Sequence, residues 1–123
     1  MKISEDTHRV ITYLENSSEQ GLATPELTSR ILESAATYSL IEDLNSIIFS
    51  SAAVVNIQRA LETALEDKTI LKNALTEESE KIAITAGKIL CVAGENTEIP
   101  PKEVLELAHD LNILKSVQKK LNR

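Results

Sequence analysis

The chain has 123 residues and a net charge of −6, with 42% hydrophobic and 26% charged residues. That length suits one domain spanning 1–123, and the composition excludes a disordered chain. Phe49, Tyr13 and Tyr38 are the whole aromatic set, so the core must be aliphatic; three glycines and three prolines leave little room for loops. The expectation is an all-α fold, a bundle of four to five helices.

The elements follow from start and stop signals. Ser4 can cap a helix over 4–19, with Glu5 and Asp6 in its first turn and Gly21 closing the region. Thr24, Pro25 and Glu26 then form a helix start, and Leu27, Ile31, Leu32 and Ala35 make an apolar stripe over 25–37. From Glu26 to Ala86 there is neither glycine nor proline. Breaks in that span must come from capping chemistry. "SLIE" at 39–42 has the pattern of a capping box that opens a helix over 39–74. Thr76 or Ser79 would cap a following helix over 77–93, and a break near Asp67 is a further possibility. Gly94 ends that helix, and Pro101 starts another over 101–121.

One of these segments differs from the rest. Near 39–66 the helix is apolar nearly all round between Ile47 and Ile57. A helix without a polar face is enclosed by other helices or by a second copy of the chain. It is therefore expected to be the central helix. The short 25–37 helix and the weakly apolar N-terminal one would leave part of it uncovered. Ile41, Leu44, Ile48, Phe49 and Val55 are thus the candidate partner-binding residues.

Charge narrows the partners. Residues 1–100 carry 8 basic and 16 acidic groups, and residues 101–123 carry 5 basic and 3 acidic. Duplex recognition begins with phosphate neutralisation, so an acidic body argues against nucleic acid. The basic C-terminal stretch suits the negative end of a helix dipole. No apolar run approaches the roughly 20 residues of a membrane span, and the N-terminus has no signal-like apolar region. With Cys91 the single cysteine, these features lead us to expect a cytoplasmic protein.

Two patterns invite a site. Glu5/His8 and Glu106/His109 are both Glu-x-x-His pairs, and these are the only histidines. Paired Glu-x-x-His motifs on separate helices are half the ligand set of a carboxylate-bridged di-metal bundle, provided they point inward. At 100° per residue, His109 lies roughly 160° and Glu106 roughly 140° from the apolar stripe centred on Leu111. Glu5 and His8 lie roughly 180° and 120° from Leu14 on the first helix. Both pairs should face water, so no metal is expected. "AGK" at 86–88 has the end of a phosphate loop, but Ile82 replaces its first glycine and Ile89 its Ser or Thr. Gly87 should instead ease close packing within a helix, and Cys91, in "KILCVAG", should be a buried structural thiol. No catalytic residues or cofactor are expected.

The region from Val10 to Leu44 has the rhythm of a helix-turn-helix. Its candidate recognition helix, however, would open with Glu42 and Asp43 against phosphates. The functional expectation is thus a non-enzymatic interaction module (an adaptor, chaperone-like protein, inhibitor or complex subunit) that binds another protein or its own copy through apolar helix faces. A helix-turn-helix DNA-binding regulator is the alternative, and a di-metal carboxylate bundle the remote one.

Overall fold

The computed structural model describes residues 26–95 and 98–121, with side chains placed as far as Lys115. The expected helix over 4–19 and the Thr24–Pro25 start lie outside the described residues. Within them the fold is all-α, four helices packed as a bundle: α1 (Glu26–Thr37), α2 (Ile41–Thr63), α3 (Thr69–Val92) and α4 (Pro101–Leu121).

The ends of α1 and α3 share one device. Leu40 N–H donates to Ala35 O at 2.9 Å across Ser39, which holds φ +55°. Glu95 N–H donates to Leu90 O, also at 2.9 Å, across Gly94 at φ +85°. In each, a left-handed residue reverses the chain so that orphan carbonyls of the last turn find a donor. Gly94 adopts this conformation freely, whereas Ser39 does so against the clash of its Cβ.

Ser39 therefore closes α1, and the expected capping box does not form. Leu40 occupies the N-cap of α2 without a side-chain hydrogen bond. The orphan amides there are favoured instead by Glu42 and Asp43 in the first turn.

The expected helix over 39–74 is in fact two. α2 ends at Thr63, and α3 begins at Thr69. Asp67 Oδ1 accepts from the Thr69 amide at 3.0 Å and from the Thr69 hydroxyl at 2.5 Å. That pair of bonds holds the Asp67 carboxyl below its ordinary pKa, the Thr69 side chain contributing most. The anticipated start at Thr76 or Ser79 is absent. Thr76 Oγ1 donates to Lys72 O at 3.0 Å in mid-helix, so the hydroxyl serves the preceding turn rather than a new end.

α2 is the central helix, packing along both α3 and α4. Its inner face carries Leu44, Ile47, Ile48 and Val54. Against these stand Ile31 and Leu32 of α1, Ile82, Ala86, Ile89 and Leu90 of α3, and Val104, Leu107, Leu111 and Leu114 of α4. Among the described residues no aromatic side chain belongs to this buried cluster. Each fully buried Leu or Ile contributes roughly 1.5–3 kcal/mol relative to exposure. That sum is set against the conformational entropy of ordering the chain.

The bundle is not packed evenly along its length. From Asn56 to Lys81 no residue is fully buried, so the α2–α3 hairpin extends beyond the core. Leu65 in its turn is 100% exposed, and Ile70 in the first turn of α3 is 83% exposed.

Candidate interaction surface

The five residues singled out on α2 divide sharply. Leu44, Ile48 and Val55 are buried, and Ile41 is half-buried against the core cluster. Their apolar surface is thus already covered within the chain. Phe49 alone is open, at 68% exposure, with Lys115 Nζ of α4 standing 5.4 Å from the ring centroid. A lysine over a ring face at this distance is a cation–π contact, weak where both groups are in water. The apolar circumference of α2 is therefore only partly enclosed, with Asn45, Ser46, Phe49 and Asn56 facing outward.

A second apolar surface was not apparent in the sequence. α3 and α4 diverge over a groove of about 310 Å³, floored by Leu75, Ala83, Ile99, Val104 and Leu105 and walled by Thr76, Ser79 and Glu80. The i, i+4, i+8 spacing of Leu75, Ser79 and Ala83 puts them in one row on α3, where Ser79 and Ala83 are small. The row is readable in the sequence. Its opposition to Val104 and Leu105 depends on how the chain returns from Gly94 to Pro101.

Polar contacts pin α1 to the rest. Thr28 Oγ1 donates to Asp110 Oδ2 of α4 at 2.9 Å. Partial burial pushes the Asp110 carboxyl above its ordinary pKa and outweighs that bond; nearby Glu106 pushes the same way. Arg30 Nε donates to Glu95 Oε2 at 3.1 Å, and a second guanidinium nitrogen also bonds this oxygen. The hydrogen bond to Glu95 holds the Arg30 pKa above its ordinary value. Beside these lies a cleft of about 210 Å³ lined by Glu26, Arg30, Glu103 and Glu106 among others.

Glu106 and His109 are exposed, as the helical wheel places them. Glu5 and His8 lie outside the described residues. Among the described residues no three His, Cys, Asp or Glu side chains converge in a way that would hold a metal.

Two expectations for α3 are corrected. Cys91 is exposed rather than buried. Ile82, Ala86, Ile89 and Leu90 fill an arc of roughly 100°, and the next residue after Leu90 turns outward. Gly87 lies off the same arc, and a Cβ built there would meet nothing within 4 Å. Among the described residues it therefore serves no close contact.

At the start of α2, Glu42 is exposed, while Asp43 Oδ1 accepts from Lys88 Nζ at 3.3 Å. The carboxylates thus remain at the tip of the would-be recognition helix, and Leu44, Ile47 and Ile48 behind them face the core. None of the described helices is long and apolar enough to cross a membrane. Comparison with known proteins gives no match: no family model, no curated protein and no solved structure is significantly similar to the chain.

Proposed function

We propose that this protein is a non-catalytic interaction module that binds another protein, or its own copy, through apolar helix surfaces in a reducing, cytoplasm-like compartment. The observation that carries the reading is apolar surface left open beside a core already filled. Phe49 stands at 68% exposure, Leu65 at 100%, Ile70 at 83% and Ile84 at 72%, and the α3–α4 groove adds a concave apolar face. Single exposed apolar residues are ordinary on monomers, but a concave apolar groove is a feature of surfaces that meet a partner. The net charge of −6 favours proteins over nucleic acid as that partner.

The test is a mass determination in solution combined with affinity capture from native lysate. The reading expects a mass above that of the monomer, or a specifically retained protein lost in Phe49→Ser or Leu105→Lys variants. A strict monomer that retains nothing, yet shifts duplex DNA at physiological salt, would refute it and favour a DNA-binding regulator.

A further inference from the structure

We infer that α1 is a hinged strap, which comes off the bundle as a unit on a pivot at Ser39 while α2, α3 and α4 stay packed. The pivot is strained. Ser39 is the one non-glycine residue at positive φ among the described residues, at +55°, and a side chain there crowds its own backbone. This conformation goes with the bond from Leu40 N–H to Ala35 O, 2.9 Å long. Opening of α1 breaks that bond and lets Ser39 relax, so the strain at the hinge favours release.

The seam between α1 and α4 is one of like charge. Glu26 of α1 and Glu103 and Glu106 of α4 line one cleft, with Arg30 the single cation in the lining. Arg30 is itself hydrogen-bonded to Glu95. In the same seam Asp110 is half-buried and accepts from Thr28 Oγ1 at 2.9 Å. The burial that raises its pKa penalises the ionised form, and parting the helices returns this carboxylate to water. His109 beside it favours the carboxylate, and Lys102 is exposed outside the cleft lining.

The hold on α1 is correspondingly small. It is the shortest described helix, at 12 residues, and buries only Thr28, Ile31, Leu32 and Ala35, against seven residues of α2. Among the described residues, its side chains bond to the rest of the bundle only at Thr28 and Arg30. Segments with few buried contacts are those that open locally. Release uncovers Leu107, which lines the cleft together with Leu27. A detached helix of 12 residues does not keep its hydrogen bonds in water, so its amides then exchange.

Native-state hydrogen exchange of the full chain, read amide by amide in rising sub-denaturing urea, tests this. Ile31, Leu32 and Ala35 should share one opening, roughly tenfold or more frequent than that of Ile48 and Ile89. It should depend only weakly on urea, because little surface is exposed. Ser39→Gly accepts the left-handed backbone and should slow α1 exchange roughly threefold. Asp110→Asn removes the half-buried charge and should slow it as well. Gly87→Ala, where a Cβ meets nothing within 4 Å, should slow exchange at Ile48 and Ile89 and leave α1 unchanged, since α3 stays folded in the open form.

Exchange of α1 with the frequency and urea dependence of α2 and α3 would overturn the inference, because α1 would then leave only in global unfolding. Slowing of α1 by Gly87→Ala to the same extent as the core would overturn it too. Protection graded along α1 would replace a swinging unit by fraying from one end. Unchanged α1 exchange in Ser39→Gly would remove the pivot, and unchanged exchange in Asp110→Asn would remove the seam; either result refutes the strap.

Discussion

Gly87 offers a direct test of the helical architecture, because the physical expectation there has a definite sign. A glycine inside a helix costs roughly 0.5–1 kcal/mol relative to alanine, through backbone entropy released on unfolding. Alanine recovers that amount only where its methyl group has room. At Gly87 a Cβ meets nothing within 4 Å, and the residue lies well inside the Thr69–Val92 helix. Gly87→Ala should therefore stabilise the protein by roughly 0.5–1 kcal/mol. For a chain of this size that is a rise in Tm of roughly 2–5 °C.

Gly94 is the internal control. At φ +85° it also has open space around a Cβ, yet a left-handed backbone penalises any side chain by roughly 1–2 kcal/mol. Gly94→Ala should thus destabilise, and the two variants should move in opposite directions from the parent. Urea denaturation followed by far-UV circular dichroism measures both, with an unchanged m-value indicating that the unfolding transition itself is the same. Loss of stability in Gly87→Ala would refute the reasoning. It would mean either that α3 is interrupted there or that something packs on this face of it.

Three further perturbations test the core and the charged contacts. Ile48 is 3% exposed within an aliphatic core, so Ile48→Asp should cost roughly 3–5 kcal/mol, a large share of a typical domain's stability; a thermal melt showing a loss below about 0.5 kcal/mol would contradict the burial. Asp67 has its carboxyl pKa lowered by the Thr69 bonds. Its contribution should be present above the ordinary carboxylate range and lost as pH falls through the folded value, so parent and Asp67→Ala should differ in denaturation midpoint at neutral pH and converge in acid. Asp110 has the opposite sign, being raised chiefly by burial. The native state holds that proton more tightly than the unfolded chain, so Asp110→Asn, which can still accept from Thr28, should be the more stable form at neutral pH. That advantage should close as acid protonates the parent.

Much of the fold was legible because helix signals are local. The stripe Leu27–Ile31–Leu32–Ala35, the closing Gly94 and the opening Pro101 each act within a turn or two, and the structure uses the last two as read. The break near Asp67 was also present in the chemistry. What could not be read was which of several competing caps would be used. Asp67, Thr76 and Ser79 are all competent, and placing the start at Thr69 makes a single continuous α3 that reaches Ile82, Ile89 and Leu90, all buried in the shared core.

Sequence by itself determined an all-α bundle, an aliphatic core and a central helix near 39–66, which the structure bounds at Ile41–Thr63, because periodicity and composition favour burying so much Leu, Ile and Val on helix faces. Tertiary structure decided the rest. Ser39 was free in the sequence to open α2 or close α1, and the reversal between the two helices made it a closing residue despite its side chain. Within an apolar helix, nothing local distinguishes Leu44 and Ile48 from Phe49; the directions from which α3 and α4 approach left only the last in water. The α3–α4 groove exists because a returning loop sets Val104 and Leu105 beside a row on the preceding helix. Burial is a property of pairs of surfaces, and a sequence specifies each surface without its partner.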